Sequence, residues 1–401
     1  MPNILFTSST FPRWQNDTEP PFVFNIAKRI AGQFDDVNIC VLAPHYPGTK
    51  TQEKINGIKI FRYKYFIPKY QSLCYNGGII PNIKKNKYKI LLIPFFFISQ
   101  LLNILIICKQ EKIDIIHSHW LIPQGLIAAV YKKIFNPKIR IICTIHGSDI
   151  SGLSSNIFKP IKIWVMNNCD IITTVSKALK KEVKTITHKK IQVINNAVDS
   201  TLFKPRPKSN KIIKNHYLES DFILFVGRLS PEKGLEYLID AMALILQNFP
   251  KIKLLVIGDG PKKEKMEIKC KELNISDKII FLGKISNQSL PQYYQSSKML
   301  IVPSLREGFG INIIESLACA NPVIASKVGG ITDIIKHKEN GILIEPKNHL
   351  MIADAVLNLL NSDDLYEYLS KKGLESVRDN FSWEKISMQY YNQYKLLNEQ
   401  R

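Results

Sequence analysis

Residues 305–320, LREGFGINIIESLACA, place two carboxylates, Glu307 and Glu315, around a turn that contains Gly308 and Gly310. The turn follows KMLIVPS, an apolar run typical of a buried strand, and precedes the helical pattern INIIESLACA. Glycines let backbone amides approach a ligand, and a helix N-terminus favours a phosphate. Carboxylates only accept hydrogen bonds, so Glu315 suits a pair of ribose hydroxyls and Glu307 suits the hydroxyls of an attached sugar. An exposed turn before an amphipathic helix is the alternative explanation.

Two cations lie in the segment GRLSPEKG, where Arg228 follows the apolar run FILFV and Lys233 precedes the helical pattern LEYLIDAMALIL. A guanidinium gives a planar fork and an ammonium a point charge, and both suit a pyrophosphate at a helix N-terminus. A solvated basic loop is the alternative interpretation.

Carboxylates beside cations differ from the carboxyl pair of a glycosidase, in which one carboxyl group protonates the leaving oxygen. A departing diphosphate needs neutralisation of its charge more than it needs a proton. The sequence has no Asp-x-Asp pair in a loop that would hold Mg²⁺. We therefore expect Arg228 and Lys233 to supply the positive charge, and we expect neither a metal nor another cofactor.

Short runs rich in Ile and Val alternate with helix-length amphipathic segments, the pattern of a doubly wound parallel sheet. Thirteen runs are predicted to be strands: NILFTSS, VNICVLAP, IKIFRY, DIIHSHW, RIICTIHG, DIITTVS, IQVINNAV, FILFVGRL, KLLVIGDG, IIFLG, KMLIVPS, PVIAS and GILIE. A chain of 401 residues exceeds the usual size of one core. Residues 199–215 contain two prolines and several basic residues, as linkers do. The predicted fold class is α/β, with domains at residues 1–205 and 206–380.

In open α/β sheets, ligands bind beyond the carboxyl ends of the strands. Polar or glycine-rich segments follow several predicted strands here, including HSHW at 117–120, HGSD at 146–149, GDG at 258–260 and GG at 329–330. These segments are the ones in which we expect functional residues.

The seven cysteines include no C-x-x-C pair, which argues against a zinc ribbon or a disulfide framework and favours a reducing compartment. The segment MPNILFTSST resembles a buried strand that enters a turn, so no signal peptide is expected. Both observations favour a cytoplasmic location.

The net charge of +21 is concentrated in the first half of the chain. Residues 1–205 contain 28 Lys and Arg against 11 Asp and Glu, a net charge of +17, whereas the remainder carries +4. This asymmetry indicates an anionic partner, either a membrane surface or a nucleic acid. Lysine-rich residue usage with solvated faces is the alternative explanation.

Residues 90–108, ILLIPFFFISQLLNILIIC, approach the length of a membrane span, but they contain Pro94, Ser99, Gln100 and Asn103. A buried or membrane-touching helix is therefore favoured over a true span. The preceding basic segment, with Lys84, Lys85, Lys87 and Lys89, would then lie at the lipid headgroups.

The combination of GRLSPEKG, VIGDGP, FLG, PSLREGFGINIIESLACANPVIASKVGG and HGSD resembles the retaining, nucleotide-sugar-dependent glycosyltransferases of family 4, over nearly the whole chain. The resemblance implies a GT-B fold, in which two Rossmann-like, doubly wound parallel-sheet domains face a central cleft. It also implies that residues 381–401 form a helix that returns to the first domain.

By this resemblance, Arg228 and Lys233 hold the donor diphosphate, Glu307 the transferred sugar and Glu315 the ribose. His146 comes from the first domain toward the sugar and completes the predicted catalytic set; a buried turn histidine is its alternative interpretation. The resemblance also places Lys284 and Ile285 beside the base and implies that Gly308, Phe309, Gly310 and Ile311 supply backbone amides. Gly227 is a further donor-side residue.

The sequence departs from the family pattern after its first strand. Many members have a Gly-Gly loop there that contacts the donor phosphates, whereas this chain has Pro20 and Pro21, which cannot offer two amides. Residues 10–19 are predicted to serve the acceptor instead. The acceptor-side candidates are Glu19, Tyr75, His119, Trp120 and Asp149, with His117 close to His119 in sequence. Core packing explains Trp120 equally well.

The leading hypothesis is a cytoplasmic sugar transferase, peripheral on the inner face of a membrane, that acts on a lipid-linked or cell-envelope saccharide. A nucleotide-sugar epimerase on the same architecture, which would release UDP without an acceptor, is the first alternative. A basic nucleic-acid-binding protein is the second, but the chain lacks the aromatic and glycine signature of an RNA-binding sheet. We therefore expect no nucleic-acid partner.

Overall fold

A computed structural model describes the chain except residues 15, 16, 18, 20, 76, 154, 210, 211, 213, 215, 217–220, 400 and 401. The chain divides into two compact units, which we call unit 1 (Met1–Asn195 with Glu384–Arg401) and unit 2 (Asn196–Trp383). The boundaries predicted from sequence, after residues 205 and 380, lie close to these divisions. The predicted linker at 199–215 falls in unit 2 and includes residues outside the described part of the chain.

The described residues form fourteen strands. They are β1 (Asn3–Thr7), β2 (Asn38–Pro44), β3 (Gln52–Ile55), β4 (Ile58–Tyr63), β5 (Ile115–His119), β6 (Arg140–Ile145), β7 (Ile171–Thr174), β8 (Ile191–Val193), β9 (Phe222–Val226), β10 (Lys253–Ile257), β11 (Ile279–Gly283), β12 (Met299–Val302), β13 (Val323–Ser326) and β14 (Ile342–Ile344). All thirteen predicted runs contain a strand. The additional strand is β3.

The described helices are α1 (Phe22–Gln33), α2 (Ile79–Lys85), α3 (Ile93–Gln110), α4 (Leu126–Ile134), α5 (Ser148–Ser151), α6 (Lys159–Asn168), α7 (Lys177–Lys184), α8 (Leu235–Asn248), α9 (Lys263–Glu272), α10 (Leu290–Ser296), α11 (Ile311–Ala318), α12 (Ile331–Ile334), α13 (His349–Leu360), α14 (Asp363–Asn380) and α15 (Trp383–Glu399). Short 3₁₀ turns connect several of them. One such turn is Pro231–Lys233, which directly precedes α8.

Each unit contains one sheet. The order in unit 1 is β3-β4-β2-β1-β5-β6-β7-β8, and the order in unit 2 is β11-β10-β9-β12-β13-β14. Every pair is parallel except β3 and β4. The strand order reverses direction between β1 and β5 in unit 1 and between β9 and β12 in unit 2. Ligands of doubly wound sheets bind at such switch points, so these two places are where the functional residues are expected.

The strands are buried because their side chains are apolar on both faces, as a parallel sheet covered by helices requires. β3 lacks such a pattern, since its residues QEKI are exposed or partly exposed at the sheet edge. It pairs with β4 through a turn in which Asn56 and Gly57 both have positive φ, 49° and 86°. The dipeptide Asn-Gly is the short-range hairpin signal that would have revealed this strand.

Helix α3 is apolar on both its buried and its exposed side. Its exposed side, with the preceding turn, presents Leu91, Phe95, Ile98, Leu102 and Ile106, each more than half exposed and spaced so that they share one face. Within the described residues, Lys87–Gln110 is the one helical stretch long and apolar enough to cross a membrane, and 22% of its most apolar window is buried in the protein. The buried or membrane-touching helix expected at residues 90–108 thus has one buried and one exposed face, and contact with a membrane stays a prediction.

Helix α15 belongs to unit 1, although it follows unit 2 in the chain. Its Tyr390 and Tyr394 are buried against His117 of β5, with ring centroids 5.3 and 5.8 Å away. Tyr391 stacks on Phe34, with ring centroids 3.9 Å apart. The last helix therefore completes the core of the first unit.

Candidate active site

The switch point of unit 2 brings together residues that lie far apart in the sequence. Because β9 and β12 are adjacent and parallel, the segments that follow them leave the sheet at the same edge. Arg228 and Lys233 follow β9, and Glu307 follows β12. Arg228 is partly exposed beside this edge.

The Nζ of Lys233 donates a hydrogen bond of 2.5 Å to Oε2 of Glu307. Their side chains are 22% and 12% exposed, so the pair is accessible but largely desolvated. The hydroxyl of Ser304, a fully buried residue, lies 3.3 Å from the same carboxylate oxygen. The structure thus brings Lys233, which is predicted to bind the diphosphate, into contact with Glu307, which is predicted to bind the sugar.

The backbone around Glu307 is held by two neighbouring loops. The amide of Leu305 donates to the carbonyl of Glu232, which ties the Glu307 loop to the Lys233 loop. The amide of Gly330 donates to the carbonyl of Glu307 at 3.0 Å. Gly329 has φ of 48°, and a Cβ there would lie 2.1 Å from the Glu307 carbonyl oxygen, so only glycine fits.

Helix α11 begins directly behind this carboxylate. Gly310, with φ of 105°, precedes its first residue, Ile311, and the first turn carries no acidic side chain. Phe309 is 3% exposed and packs against Phe381. The Asn312 side-chain amide donates to the carbonyl of Val226 and fixes the helix to the end of β9. The first amides of a helix have no intrahelical partner, so this N-terminus can hold an anion.

Glu315 lies inside α11 and is 9% exposed. Its Oε2 accepts a hydrogen bond of 2.9 Å from the hydroxyl of Tyr294, a buried residue of α10. Burial raises the pKa of Glu315 to about 7, and the Tyr294 hydrogen bond opposes part of that rise. The predicted ribose ligand is therefore a buried carboxyl group, and its contact with a ribose stays a prediction.

The remaining donor-side residues lie along the same edge of the sheet. The amide of Gly227 donates to the carbonyl of Ile257 at the end of β10. Lys284 is exposed and Ile285 is partly exposed, directly after the edge strand β11. Their contact with the base stays a prediction.

In unit 1, His146 follows β6 and is partly exposed. Its ring lies 5.0 Å from the ring of Trp120 and 4.9 Å from that of Phe22, the first residue of α1. The Trp120 indole donates to the hydroxyl of Ser148 at 3.2 Å. His146 and Trp120, which sequence assigns to different roles, are thus neighbours at the edge near the switch point.

The other acceptor-side candidates are buried: Glu19 is 5%, Tyr75 3%, His119 0% and Asp149 3% exposed. The Tyr75 hydroxyl donates to the carbonyl of Pro44, and the Asp149 carboxylate accepts from the amides of Leu121 and Gly147. Burial raises the pKa of Asp149. These internal contacts shape loops, and direct contact with an acceptor stays a prediction for all four. Of the proline pair that departs from the family pattern, Pro20 lies outside the described residues.

Two residues that the sequence did not single out, Ser304 and Tyr294, support the site, and so does Gly329 of the glycine pair at 329–330. Ser304 contacts Glu307, Tyr294 contacts Glu315, and Gly329 admits the Glu307 backbone. Ser304 could have been identified as the last polar residue of the predicted strand KMLIVPS. Tyr294 has no such signal, since its position in a short amphipathic helix is that of any core aromatic.

Among the described residues, no three His, Cys, Asp or Glu side chains lie together in a group that could hold a metal ion. The seven cysteines are free and buried.

The raised pKa of Glu315 predicts how stability depends on pH. The unfolded carboxyl has a pKa of 4.5 and the folded one about 7, so the folded state retains a proton that the unfolded state loses. The associated stability is fully present below pH 4.5 and is lost as pH rises through 7, by at most about 3 kcal/mol. Urea unfolding from pH 4.5 to 8 should show that Glu315→Gln removes this decline. The exposed Glu367→Gln is the control, and parallel pH profiles for wild type and Glu315→Gln would contradict the assignment.

Two family models match the chain, that of glycosyltransferase family 4 over residues 22–202 and that of glycosyl transferases group 1 over residues 208–376. An uncharacterized glycosyltransferase of Methanocaldococcus jannaschii is 32% identical over 377 residues, which cover 89% of this chain and 95% of the relative. The N-acetyl-alpha-D-glucosaminyl L-malate synthase of Bacillus anthracis is 30% identical over 315 residues, which cover 77% and 81%.

Solved structures share the fold over the full length. Sucrose-phosphate synthase from Thermosynechococcus elongatus aligns with a TM-score of 0.81 and 21% identity, covering 100% of both chains. Anabaena HepE in complex with UDP-glucose aligns with a TM-score of 0.76 and 16% identity, covering 98% of this chain and 99% of that one. These likenesses confirm two Rossmann-like, doubly wound domains of the GT-B type, and the sequence matches confirm the family. The chain is a glycosyltransferase and belongs to glycosyltransferase family 4.

Proposed function

We propose that the protein transfers a sugar from a UDP- or GDP-linked donor, with retention of configuration and without a metal, to a lipid-linked or cell-envelope saccharide. The observation that carries the proposal is the contact of 2.5 Å between Lys233 and Glu307 in front of the α11 N-terminus. In that region a cation, a carboxylate and the first amides of a helix lie close together, as a site for a sugar diphosphate would require.

The donor class is supported by the chemistry of that region and by two relatives. The Anabaena structure holds UDP-glucose, and the name of the Bacillus enzyme specifies an N-acetylglucosaminyl group. In this chain, a nucleoside diphosphate would lie against Arg228, Lys233 and the amides of Gly308–Ile311. Glu315 would accept from the ribose, with Lys284 and Ile285 beside the base.

Lys233 has to change partners during this reaction. Without donor it neutralises Glu307, and a diphosphate carries more negative charge than one carboxylate. Donor binding would therefore draw the ammonium toward the phosphates and release Glu307 to the sugar hydroxyls. The leaving diphosphate would then be stabilised by Lys233 and Arg228, the role that a bound cation fills in other phosphate chemistry. The family resemblance assigns His146 to the reacting sugar.

A ligand screen tests the donor class. Thermal melting with UDP, GDP and their sugar conjugates should reveal one stabilising base, since a bound ligand raises the melting temperature by mass action. Glu315→Gln should lose this stabilisation for the free nucleotide, and Glu307→Gln should retain it but turn over slowly, because Glu307 faces only the sugar. Equal losses of nucleotide affinity in both variants would contradict these roles.

Product analysis with and without a saccharide acceptor tests the transfer step. Product should form only when the acceptor is present, because a transferase needs an acceptor. The alternative of a nucleotide-sugar epimerase is contradicted by the family to which the chain belongs.

If side chains neutralise the charge of the leaving diphosphate, turnover should depend strongly on Lys233 and should not change when a chelator is added. Lys233→Met should lower turnover on the order of 10²-fold or more, as the loss of one oxyanion donor does. Turnover in excess EDTA should equal that of untreated enzyme. The exposed Lys265→Met is the control for loss of a surface charge. Loss of activity in EDTA that Mg²⁺ or Mn²⁺ restores would overturn the metal-free proposal.

We further propose that unit 1 docks on the inner face of an anionic membrane, which would bring it to a lipid-linked acceptor. The start of α3 lies toward the carboxyl edge of the sheet, because Phe96 packs on Tyr63 at the end of β4. The exposed side chains of Leu91, Phe95 and Ile98 therefore lie near the carboxyl edge of the sheet. His146, which directly follows β6, lies at the same edge.

Two further features support this docking surface. Lys84, Lys85 and Lys87 are exposed directly before the apolar face, and Lys89 donates to the carbonyl of Ser72. Helix α3 packs on α4, and α4 packs on α6. Ile161 and Trp164 of α6 are also exposed, as is Ile157 in the turn just before α6. An apolar face bordered by lysines is the composition of an interfacial helix.

Liposome co-sedimentation tests the docking. Each lysine near an anionic surface contributes roughly 1 kcal/mol, so binding should require anionic lipid and weaken in high salt. Glutamine at Lys84, Lys85, Lys87 and Lys89 should reduce binding at least tenfold. The control carries glutamine at four exposed lysines of unit 2, Lys265, Lys271, Lys347 and Lys371. Equal recovery in the supernatant with neutral and anionic liposomes at low salt would rule the docking out.

A further inference from the structure

Three imidazole rings form a column at the switch point of unit 1. His117 and His119 are two residues apart on β5, so their side chains lie on the same face of the sheet. Their ring centroids are 4.4 Å apart. His146 continues the column, with its centroid 5.3 Å from that of His119. His117 and His119 are fully buried, and His146 is the one ring that reaches the surface.

His117 has a partner for each ring nitrogen. Its Nδ1 lies 2.8 Å from the Tyr394 hydroxyl, and its Nε2 lies 2.7 Å from the Thr144 hydroxyl. Both hydroxyls can donate or accept, so either tautomer of His117 is accommodated. Its role is to join β5, β6 and α15.

His119 is different, because only one of its nitrogens is bonded. Its Nδ1 lies 3.1 Å from Nε2 of His146, within hydrogen-bond distance. Its Nε2 is buried and has no hydrogen-bond partner among the residues that the structure describes. A hydrogen bond between two neutral imidazoles requires that one nitrogen carries the proton and the other does not.

Burial favours the neutral form of all three rings near pH 7. Burial lowers the pKa of His117 to about 3, lowers that of His119 well below its usual value, and also lowers that of His146. Each ring therefore carries one proton, on one of its two nitrogens. In the hydrogen bond between His119 and His146, either ring could therefore be the donor.

The unpartnered nitrogen of His119 decides which ring donates. If His146 donated, the proton of His119 would lie on Nε2, as a buried N–H group with no acceptor. Orphaned N–H groups are among the rarest features of folded proteins, and an unpaired donor carries its full desolvation penalty. If His119 donates from Nδ1 instead, its Nε2 is a lone pair and no N–H is orphaned.

We propose that His119 is a positioning residue, which donates its Nδ1 proton to Nε2 of His146 and thereby fixes the His146 proton on Nδ1. His146 then offers a defined N–H donor to an oxygen of the sugar. This inference rests on the proposed function for the role of His146, but the tautomer itself is a property of the free protein. His119 would act through His146 and not by touching substrate.

Nitrogen NMR of the full chain labelled with ¹⁵N-histidine tests the tautomer directly, with the His146 signals assigned from His146→Gln. In the wild type, His146 should be protonated on Nδ1 and unprotonated on Nε2. In His119→Leu, the fixed tautomer should give way to a mixture. In His119→Asn, the side-chain amide replaces the Nδ1 donor and should restore it. Protonation of His146 on Nε2 in the wild type, or an unchanged tautomer in His119→Leu, would overturn the proposal.

Kinetics add a readout that packing alone would not produce. His119→Leu should lower kcat about tenfold with little change in the KM for the donor, and His119→Asn should recover most of the loss. Equal impairment of the two variants would assign His119 a merely structural role. If His119→Leu does not fold, the wild-type tautomer and His119→Asn still decide. A wild type without transfer activity would defeat the proposed function and leave the tautomer measurement standing.

Discussion

The adjacency of β9 and β12 is the constraint on which the donor side depends. Lys233 and Glu307 lie 74 residues apart in the chain, and they meet because their strands pair in parallel and end at one edge. Backbone hydrogen bonds, in addition to the ion pair, hold the two loops that carry Lys233 and Glu307. Glu232 holds the start of the Glu307 loop, and Gly330 holds its carbonyl. A charge pair on such a frame can exchange one partner for a ligand without moving the loops.

The extent of burial determines which polar groups of the two candidate sites favour the charged form and which favour the neutral form. In unit 2, the partly exposed Lys233 and Glu307 form an ion pair, whereas the buried Glu315 has a raised pKa. In unit 1, the buried imidazoles of His117 and His119 have lowered pKa values. Desolvation disfavours the charged form in both cases, with opposite direction for acids and bases. At these two sites the charged pair is therefore the partly exposed one, and the buried carboxyl and imidazole groups contribute directed hydrogen bonds.

The sequence predicted the strands, the switch-point loops and the family because these features leave local signals. Apolar runs such as FILFV mark buried strands, and the turn with Gly308 and Gly310 marks a helix start after a strand. Contacts between distant segments leave no such signal. The Tyr294 hydroxyl on Glu315, and the approach of Gly329 to Glu307, follow from how helices and loops pack. For the same reason, spacing alone did not reveal that Glu315 is buried or that the outer face of α3 is exposed.

Helix α15 makes the core of unit 1 depend on residues that follow unit 2 in the chain. Unit 2 is continuous in sequence, whereas unit 1 needs Tyr390 and Tyr394 from beyond Trp383. Domains generally fold as units during synthesis. The first part of unit 1, Met1–Asn195, is separated from α15 by some 190 residues, and the position beside His117 stays uncovered until those residues have been made. The unit that is made first therefore cannot complete its core before the second unit has been synthesised.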